Sequence, residues 1–190
     1  MKKTLFFLFL LISMSAKAQT NTDFLKEINK DIWLPFIEAY GTLNIEKYKS
    51  LQSEDFIRAE GNGKTLPSYK DYFENAGTWF SDTKKEGRKL EISFRFIERF
   101  SNGKTASERG IYELKSFDAS GKEIWKDYGK FHVFMKKING IWKIVVDYDS
   151  NENKTINEQA YLAAFSIDDY DKYTRWVKPF SKHLSNYSKC

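Results

Sequence analysis

The sequence predicts an α+β fold in which an antiparallel sheet packs one face against helices that precede it. Three observations carry that prediction. The stretch from Lys126 to Ser150 reads as two long strands joined at Asn139-Gly140, a strong short-range hairpin signal because both residues tolerate positive φ. Leu90 to Phe117 holds two further alternating runs separated by Ser101-Asn102-Gly103, so that four strands form a meander. Before Gly77, apolar residues recur at helical spacing and supply the cover that a sheet with one wet face requires.

Within the hairpin, Trp142, Ile144, Val146 and Tyr148 alternate with Lys143, Val145, Asp147 and Asp149. A period of two puts the sets on opposite faces. The first set is expected to look inward, and Asp147 and Asp149 to face water. Asp147 and Asp149 make a poor metal pair, because no histidine or third carboxylate stands at a useful spacing.

From the beginning of the chain, residues 1–18 read as a signal peptide and not as part of the fold. Lys2 and Lys3 form the charged region, Leu5 to Ile12 the apolar region, and Ala16-Lys17-Ala18 the small-x-small cleavage site, leaving Gln19 at the mature N-terminus. The apolar run is too short to span a bilayer. The expectation is export to the periplasm or the medium, with no stable membrane anchor after cleavage. Losing Lys2, Lys3 and Lys17 takes the formal net charge from +5 to +2, too weak and dispersed a balance to argue for nucleic acid. Cys190 is the single cysteine, which excludes an intramolecular disulfide. The core must hold the fold alone, and a 17% aromatic content can build one.

Residues 19–150 form the predicted α+β domain. Asp23 to Tyr40 reads as a helix capped by Thr22 or Asp23, with Ile28, Ile32, Trp33, Phe36, Ile37 and Tyr40 on one stripe, a bend at Pro35 and a stop at Gly41. Asn44 caps a second short helix, and a strand runs from Phe56 to Glu60. Ser68 and Asp71 stand at capping-box spacing and open a third helix that Gly77 should end. In the second strand of the meander, Gly110 suggests a bulge. Residues 151–190 form a C-terminal helical extension. There Tyr173, Trp176, Val177, Phe180 and Leu184 make an apolar stripe, fit either for a brace on the domain or for a protein partner.

This order, with Gly110-Ile111-Tyr112-Glu113-Leu114, Gly129-Lys130-Phe131 and Asn139-Gly140-Ile141-Trp142-Lys143-Ile144, resembles the nuclear transport factor 2-like superfamily. The similarity lies with its SnoaL-like and ketosteroid isomerase-like branches and covers about Phe24 to Ser150. The resemblance implies a cone-shaped, curved sheet wrapped around the N-terminal helices, with an apolar pocket at its open end. It also implies homodimers through the outer sheet face. Isomerase-like members use a tyrosine on the first helix, an aspartate base and a protonated acid. Tyr40 matches the first by position and Asp55 roughly the second. Some relatives carry two histidines on the last strand, where this chain has Val146 and Tyr148, which argues against a histidine site.

Among the residues themselves, Trp33, Tyr40, Tyr112, Trp142 and Tyr148 are the expected ligand-binding set, since buried tyrosines need a partner for the hydroxyl. Asp55, Glu60 and Tyr40 are the catalytic candidates. Glu60, Arg95 and Arg109 are strand charges that must be paired if they point inward. His132 shares a face with Lys130 and Lys136 and should lie outside. His183 sits among serines and lysines in the tail. There is no G-x-S-x-G, H-E-x-x-H, glycine-rich phosphate loop or EF-hand pattern, so neither a metal nor a cofactor is expected. The reading is an exported module binding a small apolar or aromatic molecule. The alternatives are an isomerase- or cyclase-like enzyme, with a pocket carboxylate as base and a tyrosine as oxyanion donor, and a protein-interaction domain using the C-terminal helix.

Overall fold

The computed structural model describes residues 20–173. Residues 1–18, expected to be a signal peptide, and the tail residues Trp176, Val177, Phe180, His183 and Leu184 lie outside them.

Helix α1 (Asn21–Ile28) begins two residues earlier than the sequence suggests. Thr20 caps it: its Oγ1 accepts from the Asp23 N–H at 3.3 Å, and the Asp23 carboxylate accepts from the Thr20 N–H at 2.9 Å, completing a capping box. A π-turn over Asn29–Trp33 follows, then α2 (Leu34–Gly41). Pro35 has no N–H to give the preceding turn, and the widened turn stands directly before it. Helix α3 (Ile45–Ser50) starts where Asn44 accepts from the Lys47 N–H at 2.9 Å.

Ser68 and Asp71 cap α4 (Tyr69–Lys85), which runs through Gly77 and does not stop there. The next turns bury Phe80 and Thr83, and burying an aromatic side chain outweighs the roughly 1 kcal/mol that a helical glycine costs.

The sheet order is β1-β5-β4-β3-β2-β6. Its strands are β1 (Gln52–Glu60), β2 (Lys89–Ser101), β3 (Thr105–Phe117), β4 (Glu123–Ile138), β5 (Ile141–Ser150) and β6 (Phe165–Ser166). Every pairing is antiparallel except β1 with β5. Asn139 and Gly140 take φ of 51° and 84° and make the expected tight turn. Curved and unclosed, the sheet holds the helices on its concave face. Trp33, Phe36, Tyr48, Phe94, Phe96 and Phe131 lie in the core between them.

Two β-bulges decide which residues enter that core. On β5, Phe134 pairs with Val146 but Met135 pairs with Ile144, so Val145 is extra. On β2, Phe96 pairs with Gly110 but Glu98 pairs with Arg109, so Ile97 is extra. One added residue reverses the pleat beyond it. Asp147 is therefore buried and Tyr148 is 41% exposed, the reverse of the sequence expectation. Arg99 turns inward and is fully buried. The bulge lies on β2, while Gly110 on β3 is where the strands close up: a Cβ there would fall 2.0 Å from the Arg95 carbonyl oxygen.

The C-terminal extension crosses from one face of the sheet to the other. Helix α5 (Glu158–Ala163) lies on the convex face, where Ile156 and Tyr161 cover Ile111 and Tyr128. Strand β6 pairs with β2 at the sheet edge. Helix α6 (Tyr170–Tyr173) returns to the concave side, where both tyrosines join the main core.

Candidate functional site

A small recess lies between α2, α3, α4 and the concave face. Trp33, Phe36 and Tyr40 line it from the first helical segment, Tyr48 from α3 and Tyr72 from α4, with Ile92, Phe94, Tyr112, Phe131 and Val133 from the sheet. Its volume is about 50 Å³. The rings pack edge to face or tilted: Trp33 on Phe94 at 4.6 Å, Phe36 on Phe94 at 5.1 Å, Tyr40 on Tyr48 at 5.5 Å. Such contacts fix the walls in place. Gly129 makes room for one of them, since a Cβ there would stand 2.4 Å from the Tyr112 hydroxyl oxygen.

Three charged groups complete the lining. Arg58, brought inward on β1, gives Nη1 to Asp147 at 2.8 Å and Nη2 to Asp149 at 2.6 Å. Its guanidinium lies over the Tyr72 ring, 5.1 Å from the centroid. The Tyr72 and Tyr48 hydroxyls share a 2.6 Å hydrogen bond. Burial pushes the Asp147 carboxyl up to about 6, and the Asp149 charge adds to the rise while Arg58 opposes it. Arg58 stays a cation, because burial is outweighed by the two carboxylates. Burial also raises Tyr40 and Tyr48, and lifts Tyr72 to about 12, so these hydroxyls keep their protons at neutral pH.

Behind the recess stands a second buried cluster, joined to it by Trp33. The indole Nε1 donates to Glu108 at 2.5 Å, and Arg99 Nε lies 3.1 Å from the same carboxylate oxygen. Arg99 also donates to Asn29 Oδ1 at 2.5 Å and to the Ile167 carbonyl at 2.9 Å. Asn29 in turn donates to the Tyr170 hydroxyl at 2.7 Å, and the Arg99 guanidinium lies 5.4 Å from the Tyr173 ring centroid. The C-terminal extension thus supplies part of the shell that holds Arg99, Glu108 and, through them, the rear wall of the recess. Burial raises the Glu108 carboxyl against the pull of Arg99.

The sequence candidates divide sharply. Trp33, Tyr40 and Tyr112 meet in the recess. Trp142 is fully buried but outside the recess lining, its Nε1 donating to Glu27 at 3.3 Å. Tyr148 lies on the convex face, turned there by the Val145 bulge. Asp55 is exposed, and Glu60 accepts from Thr65 Oγ1 at 2.9 Å beside the β1 turn, so neither carboxylate enters the recess. Arg109 pairs with Glu98 at 2.9 Å on the exposed face. Arg95 holds the extension through the Leu162 and Ala164 carbonyls. His132 is on the convex face as expected, 2.9 Å from Ser107 Oγ and tilted against the Phe134 ring, 4.5 Å between centroids. Among the described residues no cluster of three metal-ligating side chains is present.

Sequence reasoning missed Arg58, Asp147, Asp149, Tyr48 and Tyr72, and behind them Arg99 and Glu108. A signal was present: both bulges fall where alternation breaks into adjacent apolar residues, Phe96-Ile97 and Ile144-Val145-Val146.

Solved structures share this architecture. An NTF-2 like protein of unknown function from Shewanella oneidensis MR-1 matches with a TM-score of 0.51 at 20% identity, over 69% of this chain and 99% of its own. Another from Pseudomonas putida KT2440 matches with a TM-score of 0.50 at 12% identity, over 70% of this chain and 89% of its own. The fold is nuclear transport factor 2-like. A conserved protein from Planctomyces limnophilus DSM 3776 shares the fold, with a TM-score of 0.52 at 15% identity, over 65% of this chain and 91% of that one. No protein-family model and no curated protein matches the chain. On this nuclear transport factor 2-like frame, the recess occupies the space between the N-terminal helices and the concave sheet.

Proposed function

We propose that this protein is an exported small-molecule-binding module whose ligand sits in the recess beside Trp33, Tyr40 and Tyr112. The observation that carries this reading is the pairing of aromatic walls with a buried Arg58–Asp147–Asp149 cluster. Apolar walls with a few convergent polar groups are the usual make-up of a small-molecule site. A cavity of about 50 Å³ limits the ligand to a small molecule, or to a larger one for which the aromatic rings part. The charged, apolar and small-x-small segments of residues 1–18 support export to the periplasm or the medium.

The partner proposed besides the ligand is a second copy. On the convex face Ile57, Phe134 and Tyr148 are 52%, 43% and 41% exposed, and they lie in neighbouring rows across β1, β5 and β4. Native mass spectrometry of the protein purified gently from its own compartment tests both proposals. A small mass lost on denaturation supports the module, and a doubled mass the dimer. A monomer of clean apo mass counts against both.

One observation favours a second reading, an acid–base enzyme. Asp147 is a buried carboxylate raised to about 6 beside neutral tyrosine hydroxyls, and Asp149 next to it is more open to water. Two carboxylates whose environments differ in this way can divide acid and base roles. In this reading Asp147, in place of Asp55 or Glu60, takes a proton from carbon next to a carbonyl, and the Tyr40 or Tyr112 hydroxyl stabilises the enolate. The test is deuterium uptake next to the carbonyl of cyclopentanone in heavy water, followed by NMR. Asp147→Asn should abolish a protein-dependent rate, and a rate unchanged by that substitution would sink the reading.

A further inference from the structure

The recess has an uneven stock of charge and of hydrogen-bonding groups. Its charged lining is one guanidinium against two carboxylates. Arg58 spends Nη1 on Asp147 and Nη2 on Asp149, so the paired donors that seat a bidentate anion are already taken. Each carboxylate gives one oxygen to Arg58. Among the described residues no donor reaches Asp147 Oδ1 or Asp149 Oδ2. Arg58 Nε is buried without a partner among the described residues, a lone donor and not a pair, so what the charged lining lacks is a second positive charge. The walls supply the complementary surface, since Trp and Tyr ring faces attract cations, and Trp33, Tyr40 and Tyr112 all reach the recess. Arg58 over Tyr72 shows the same attraction at work within the chain.

We infer that the recess selects a small protonated amine, its ammonium donating to Asp147 and Asp149 and its apolar body lying against the aromatic wall. The inference rests on the binding-module reading and names that ligand's chemical class. Size points the same way: in about 50 Å³ a short alkylammonium fits more readily than a fused-ring molecule. An anion would meet two carboxylates with no free pair of guanidinium donors. A neutral alcohol would satisfy one oxygen and leave the excess negative charge uncompensated. In a site screened from water this difference is large, because charge–charge attraction strengthens as the local dielectric falls.

Matched probes of nearly equal shape test the class: isobutylamine, isobutanol and isobutyrate, titrated into the mature protein by calorimetry at pH 7.5 and low salt. The amine is expected to bind at least tenfold more tightly than the alcohol, and isobutyrate not at all. The amine preference should be lost in Asp149→Asn, chosen because Asp149 is the more exposed carboxylate and its change leaves the Arg58–Asp147 pair intact. The alcohol or the carboxylate binding as tightly as the amine overturns the amine assignment while the binding module stands. Equal amine affinity in Asp149→Asn overturns it as well, by placing the binding elsewhere. No binding by any probe, together with a clean apo mass, overturns the module and the amine assignment together.

Discussion

Replacing Arg99 by methionine tests whether the cluster behind Trp33 holds the fold. Methionine matches much of the arginine stem but removes the charge and every donor. Three acceptors then lose the arginine: Glu108, Asn29 Oδ1 and the Ile167 carbonyl, which keeps only the longer 3.3 Å bond from Asn29 Nδ2. Glu108 keeps only its bond from Trp33, and its other oxygen already stands without one. Removing one partner of a fully buried ion pair costs about 3–5 kcal/mol, a large part of the roughly 5–15 kcal/mol that holds a domain together. In a domain of this size that is a fall in Tm of roughly 6–20 °C. Glu108→Gln alone should cost a similar amount, since it strands Arg99. The double variant should recover to within about 2 kcal/mol of the parent, because neutral groups of similar volume replace a buried pair at little cost. Urea unfolding gives all four stabilities, provided the m-value stays constant. Acid should soften the single loss. The raised Glu108 carboxyl takes a proton more readily in the fold than in the unfolded chain, so its contribution is greatest below 4.5 and declines as pH rises. If Arg99→Met unfolds within 1 kcal/mol of the parent, or the double loss equals the sum of the singles, the cluster is not the coupled unit described here.

Three further outcomes are expected. Asp147 moves from 3.8 to about 6 on folding, which at about 1.4 kcal/mol per pH unit is on the order of 3 kcal/mol. The folded state binds the extra proton, so parent stability should fall relative to Asp147→Asn between about pH 4 and pH 6. A pH-independent difference would refute the burial argument. Gly129→Ala puts a methyl where the Tyr112 ring lies and should cost about 1–3 kcal/mol. Because Tyr112 must move, ligand binding should weaken too, and an unchanged calorimetric titration would contradict that. Deleting Val145 removes the β5 bulge and would turn Asp147 and Asp149 outward. The deletion should unfold the domain or cost more than about 4 kcal/mol, against about 1–2 kcal/mol for Val145→Ala, and circular dichroism with urea titration distinguishes the two.

Much of the frame could be read from local sequence. The Asn139-Gly140 turn, the Asn44 cap and the Ser68 cap appear in the fold because each depends on residues within a few positions of one another. Trp33 and Tyr40 were legible as an inward stripe because helical spacing is fixed by the backbone. The α4 stop at Gly77 was misread because the contacts of Phe80 and Thr83, distant in sequence, override a weak local preference.

The sequence by itself determined the α+β class, the order of the meander and the place of Trp33, Tyr40 and Tyr112 in the recess, since hydrophobic period and turn chemistry are local properties. Only the tertiary structure decided which charges stand inside. Alternation along one strand assigns Asp147, Asp149 and Arg99 outward, and an extra residue at Val145 and at Ile97 reverses them. A bulge depends on how two strands pair, and pairing is settled by burial across the whole sheet. For the same reason Arg58, far from Asp147 in sequence, could be recognised as its partner only once β1 lay beside β5.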